Sequence, residues 1–99
     1  MSIEKKIRTA TDTGKAVFGE RQTLKFVRNK GVKLVIVASN CPEEKKKSLY
    51  SNAEAAGIKV YEYPGSSVEL GSACGKPFII SMLGIIEPGN SDVLELSRR

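Results

Sequence analysis

Residues Gly14 to Asn40 read GKAVFGERQTLKFVRNKGVKLVIVASN. At their centre, Leu34 to Ala38 (LVIVA) is an apolar run with no polar alternation. A strand with one wet face alternates, so this run predicts a strand over 33–38 that is covered on both sides. Upstream, Lys15 to Phe18 is short and apolar enough for another strand, which Gly19 breaks. A helix is expected from Glu20 to Lys30, with Leu24 and Val27 facing inward and Gly31 ending it. Arg21, Lys25 and Arg28 recur at i, i+4 and i+7, so they share one face of that helix.

Working outward, Ser2 can cap a helix carrying Ile3, Ile7 and Ala10 at helical spacing, with Gly14 as a left-handed stop. Downstream, Pro42 followed by Glu43 and Glu44 marks a helix start. Leu49, Ala53 and Ala56 carry that helix to Gly57. Ile58 to Tyr63 predicts a strand stopped by Pro64 and Gly65. Ser66 and Glu69 have the spacing of a capping box, opening a short helix that ends at Gly75. Phe78 to Ile86 predicts a strand, Glu87 to Asn90 a turn, and Val93 to Leu96 a last edge strand. Residues 97–99 are expected to be a disordered tail. Alternating helices and strands imply a sheet sandwiched between helix layers.

The 99 residues suit one domain with a single modest core, and 40% apolar with 27% charged residues is ordinary globular composition. No apolar run is long enough to span a bilayer, and the start MSIEKKIR lacks an apolar leader core, so a cytosolic location is expected. Cys41 and Cys74 are too few and too far apart for a disulfide framework or a zinc ligand set, so two reduced thiols are expected. With no histidine in the chain, serine–histidine and cysteine–histidine catalysis are excluded. The net charge of +5 is unevenly placed. Residues 5–33 hold nine Lys/Arg against Asp12 and Glu20, whereas residues 48–97 hold two Lys against six acids. Such polarity suits an anionic polymer as partner, although solvated basic helices would show the same count.

Four stretches carry candidate chemistry. Gly14 to Gly19 has the glycine spacing of a P-loop, but Glu20 and Arg21 stand where Lys and Ser/Thr are needed. Gly71 to Gly75 is one residue short of that spacing. Both glycine pairs read better as helix stops and starts, and Gly19 still leaves room for a phosphate at a helix N-terminus. The basic stripe Arg21, Lys25, Arg28 can follow a phosphate backbone or be a plain solvated face. The junction Ser39 to Pro42 lies where α/β folds place ligand contacts, and its Asn40 can serve a local turn or read a base edge. Phe78, after Gly75 and Pro77, can stack on an unpaired base or begin the buried strand.

In this order these features resemble one family. GKAVFGERQTLKFVRNKGVKLVIVASNCP, VYEYPGSSVELGSACGKPF and the ending EPGNSDVLEL are similar to the archaeal and eukaryotic L-thirty-e ribosomal proteins. These belong to the kink-turn RNA-binding ribosomal protein superfamily, and the resemblance covers essentially the whole chain. It implies a single RNA-binding domain over 1–99 with an α/β fold, a three-layer α/β/α sandwich around a mixed sheet of about four strands. It implies RNA binding without catalysis, cofactor or metal, through three loops at one end of the sheet. Carried over by motif, the first contact set is Gly19, Glu20 and Arg21 with Lys25. The second is Asn40 with Lys45, and the third is Phe78, Ile79 and Ile80. Gly19 would admit the RNA backbone, and Arg21, Lys25 and Lys45 would attract phosphates. Asn40 would read edges of non-Watson–Crick pairs, and Phe78 with its aliphatic neighbours would pack on an expelled base.

Some relatives carry a basic residue after the aromatic where this chain has Ile79, which shifts that loop toward apolar packing. The Arg21 helix start favours the ribosomal branch over the guide-RNA branch. The implied partners are a kink-turn in ribosomal RNA and neighbouring ribosomal proteins, with no membrane, in a cytoplasmic ribosome. The protein alone would be a monomer, of archaeal origin because no eukaryotic extension is present. Competing possibilities are a kink-turn protein of a guide-RNA or regulatory particle, a protein-binding regulator on the same fold, and a small nucleotide-binding enzyme built on Gly14 to Gly19.

Overall fold

All five residues of strand β2 (Leu34–Ala38) are buried, and the architecture follows from that. Side chains on a strand point alternately to its two faces. Leu34, Ile36 and Ala38 therefore join one apolar cluster, while Val35 and Val37 join another across the sheet. The computed structural model describes residues 3–98. The other strands are β1 (Lys15–Phe18), β3 (Lys59–Tyr63) and β4 (Met82–Glu87). The sheet order is β1-β4-β2-β3, with β1 and β2 antiparallel to β4 and β3 parallel to β2. The expected mixed four-stranded sheet is thus present.

Helices α1 (Ile3–Thr13) and α4 (Ser67–Ala73) cover one face, where Ile7, Ala10, Leu70 and Cys74 pack on Leu34, Ile36, Leu83 and Ile85. Helices α2 (Glu20–Arg28) and α3 (Glu43–Ala56) cover the other, with Leu24, Val27, Leu49 and Ala53 against Val35, Val37 and Met82. This is the three-layer α/β/α sandwich. Among the described residues no helix is long and apolar enough to cross a membrane.

Several local expectations are corrected. Val93–Arg98 forms a 3-10 turn and not an edge strand, with Val93 in the α1-side core and Glu95 N–H donating to Asp92 O at 3.0 Å. Strand β4 begins at Met82, so Phe78 to Ser81 is a loop. Gly14 does not have the positive φ of a left-handed stop. It is needed because a Cβ there would run into the carbonyl of Glu87 and come within 2.9 Å of Ala10 O. Helix α2 ends at Arg28, and its left-handed residue is Lys30 at φ 56°, with Gly31 following. The Ser2 cap lies outside the described residues, as does Arg99 of the expected tail. The backbone of Ser97 and Arg98 closes the 3-10 turn.

The capping box is formed. Ser66 Oγ accepts from Glu69 N–H, and Glu69 Oε1 accepts from Ser66 N–H at 3.0 Å. Tyr63 is buried at the end of β3, and its hydroxyl donates to Glu4 Oε2 at 2.9 Å, tying α1 to the sheet. Burial, then this bond to a carboxylate, pushes the phenol up to about 12.

Thr23 is fully buried in α2, and its hydroxyl has no hydrogen-bond partner. An unsatisfied buried hydroxyl costs roughly 1–3 kcal/mol. Thr23→Val keeps the shape and removes that cost, so it is expected to stabilise by about 1 kcal/mol. That gain would raise the melting temperature by roughly 4–8 °C, as read by calorimetry. An unchanged or lower midpoint would show that the hydroxyl is satisfied.

Candidate nucleic-acid interface

Strand register decides which loops meet. Phe18 pairs with Leu83, and Val37 with Met82, so β1 and β2 end where β4 begins. Backbone bonds then knit the loops together. Gly19 N–H donates to Met82 O at 2.9 Å and Ala38 N–H to Ser81 O at 2.8 Å. Because β3 runs parallel to β2, its end arrives there too, and Ser39 N–H donates to Gly65 O at 3.1 Å. Gly19, the Ser39–Pro42 junction and the Lys76–Ser81 loop thus share one end of the sheet.

Gly14 to Gly19 includes strand β1, so these residues form no phosphate-cradling loop. Gly19 itself is the N-cap of α2, at φ 89°. Nothing lies within 4 Å of a Cβ built there, so the glycine serves its backbone conformation and leaves open space at the helix start.

Glu20 and Lys45 face each other across the first two loops, with Oε1 and Nζ 3.4 Å apart. Arg21 and Lys25 are exposed, and among the described residues no carboxylate pairs with either. Asn40 is exposed, and its Oδ1 accepts from the backbone N–H of Ser67 at 2.9 Å. A backbone N–H can only donate, which sets the amide's orientation. Oδ1 faces the first turn of α4, and among the described residues nothing accepts from Nδ2. Asn40 therefore caps neither its own junction nor α3: its Oδ1 reaches across to α4, and its amide nitrogen remains the candidate for reading a base edge.

In the third loop, Phe78 and Ile79 are 54% and 63% exposed, but Ile80 is only 2% exposed. Ile80 lies in the α1-side core, and its N–H donates to Ser67 O at 3.0 Å. Its side chain is not available to a base, which corrects its place in the contact set and makes it the loop's anchor. Cys41 and Cys74 are both free and buried. Burial pushes the Cys41 thiol up and that of Cys74 up to about 11, so both are poor nucleophiles. Among the described residues no group of three or more His, Cys, Asp or Glu could hold a metal ion.

The sequence matches the model of the ribosomal protein L7Ae/L30e/S12e/Gadd45 family over residues 1–95. The chain belongs to that family. It is 46% identical over 93 residues to the large ribosomal subunit protein eL30 of Sulfurisphaera tokodaii, covering 94% of this chain and 88% of that protein. It is also 46% identical over 98 residues to the protein of the same name from Methanospirillum hungatei, covering 99% and 100%. A solved structure of a protein of unknown function from Bacillus halodurans shares the fold, with a TM-score of 0.85 at 24% identity, covering 99% of this chain and 98% of that one.

In this member of the L7Ae/L30e/S12e/Gadd45 family, three supporting residues escaped sequence reasoning. Lys46 is buried, donates to Ser39 O at 2.8 Å and lies 3.4 Å from Glu62 Oε2, which braces the second loop. The lysine run 45–47 hid it, but its spacing to Leu49 and Ala53, at i+3 and i+7, was the available signal. Lys76 sits 5.3 Å from the Phe18 ring centroid, joining the third loop to the end of β1. Val68, 63% exposed on α4, lines a shallow cleft with Phe78 and Ile79.

Proposed function

We propose that the chain is a structural component of the large ribosomal subunit and binds a kink-turn-type internal loop of ribosomal RNA. The observation that carries this reading is the pairing of two exposed apolar side chains, Phe78 and Ile79, with the solvent-facing Asn40 amide donor at one sheet end. Single-stranded or bent RNA offers unstacked bases with free edges, which such a surface can stack on and hydrogen-bond, whereas a regular RNA duplex does not. Arg21, Lys25 and Lys45 supply phosphate attraction, and Gly19 lets the backbone approach. Relatives named as large ribosomal subunit proteins support the assembly. The reading places the chain on the cytoplasmic ribosome beside other ribosomal proteins. It gives the isolated protein a monomeric state and a role in binding without catalysis, metal or cofactor.

Fluorescence anisotropy with a kink-turn RNA and a straight duplex of matched composition tests this. Affinity for the bent RNA is expected to be about a thousandfold higher, within the range that separates specific from non-specific sites. It is also expected to fall steeply with salt. Equal affinity for both RNAs would overturn the reading.

A further inference from the structure

The basic stripe on α2 does not stop at the sheet end. From Arg21 through Lys25 to Arg28 it runs roughly 10 Å along the helix, at about 1.5 Å per residue. Five other cations, Lys6, Arg8, Lys33, Lys45 and Lys46, pair with carboxylates of the protein itself. Among the described residues no carboxylate pairs with Arg21, Lys25, Arg28 or Lys30.

The far end of this stripe is built, not merely exposed. Arg28 Nε donates to Asn52 Oδ1 at 3.3 Å, and Asn52 Nδ2 donates to Ser48 O at 2.7 Å. The second bond sets the amide so that its oxygen faces the arginine. A guanidinium held through Nε keeps its two terminal nitrogens for a bidentate anion. Beside it is Lys30, in a shallow groove whose other walls include the small side chains of Ala55 and Ala56.

Lys30 has φ 56°, the positive-φ non-glycine residue among those described. It occupies the left-handed position of a Schellman ending, with Lys30 N–H donating to Val27 O and Gly31 N–H to Phe26 O. Glycine is the unstrained choice there. A strained lysine at a place where glycine would serve the backbone better argues that its charge is used.

We infer that Arg28 and Lys30, with Arg28 set by Asn52, form a second phosphate site that continues the RNA surface along α2 onto a stem flanking the bend. The inference rests on the proposed kink-turn binding and extends it from the unpaired bases to the helical RNA beside them. Phosphates are the group recognised, so this contact adds affinity without reading sequence.

The test uses the whole protein with Arg28→Gln and Lys30→Gly, singly and together. The RNAs are the full kink-turn and two versions in which one or the other stem is trimmed back to the bend. The double variant is expected to bind the full RNA about tenfold more weakly, with a log–log salt slope shallower by about 1.8, as for two lost phosphate contacts on a duplex stem. The deficit should vanish on one of the two trimmed RNAs. Lys30→Gly should melt no lower than the unaltered protein, because the strained backbone is relieved. An unchanged salt slope, an equal deficit on both trimmed RNAs, or a lower melting point for Lys30→Gly would overturn the second site. Failure of the unaltered protein to prefer bent over straight RNA would overturn the reading beneath it as well.

Discussion

Asn40→Asp is expected to leave the protein folded while lowering its affinity for kink-turn RNA by about 100-fold. The carboxylate keeps an acceptor for the Ser67 N–H, now 2.9 Å from Asn40 Oδ1, so this bond to the first turn of α4 survives. What changes is the outward atom, where an N–H donor becomes an anionic oxygen. Loss of a base-edge contact costs roughly 1–3 kcal/mol, and a carboxylate among phosphates adds repulsion. Asn40→Ala separates the two roles differently. It removes the acceptor as well, so the α4 amide loses a bond worth about 1 kcal/mol and the melting temperature falls. Thermal melts and anisotropy on both variants check this. Native affinity in Asn40→Asp would remove Asn40 from the interface, whatever happened to Asn40→Ala.

Gly71→Ala should damage stability and RNA binding together. A Cβ at Gly71 would strike the carbonyl oxygen of Phe78, with Ile79 Cα at 3.4 Å, so the helix and the loop cannot keep their present distance. Both obstacles are backbone atoms, which cannot rotate away as a side chain can. Overpacking of this kind costs about 3 kcal/mol at its upper range. For a domain of this size that is a melting temperature lower by roughly 15 °C. Any protein that remains folded should have its 76–80 loop displaced and bind bent RNA more weakly. Chemical denaturation with RNA titration at a temperature below both midpoints reads the two effects. A variant with native stability would show that the loop yields easily.

The sequence made the sandwich legible because burial leaves a mark. Leu34 to Ala38 has no polar alternation, and so short a run, rich in β-branched residues, suits a strand covered on both faces. Positions where the same residue type has two fates were not legible. Ile79 and Ile80 are adjacent and identical, yet one is open to solvent and the other lies in the core. That difference depends on where the chain turns before Met82, and no local propensity encodes it. Gly71 was read as a helix stop or start, yet it lies inside α4, because close approach between α4 and a loop seven residues later is a tertiary fact. Val93 to Leu96 is apolar enough for a strand, but Val93 and Leu94 pack on the α1-side core as part of a 3-10 turn. Lys30 was missed because the glycine next to it offered the cheaper explanation of the helix end.

The Glu20–Lys45 contact has a consequence for discrimination among polyanions. In the free protein that ammonium already has an anion 3.4 Å away. A phosphate arriving at Lys45 must displace a tethered competitor, and the exchange liberates no counterion into bulk. Loosely held RNA gains little from such a swap. Only a phosphate delivered close to Lys45 by a backbone already bent to fit does better than the carboxylate. On the proposed function the pair acts as a threshold: it subtracts from promiscuous attachment more than from the correct site, and Glu20 contributes selectivity by opposing binding.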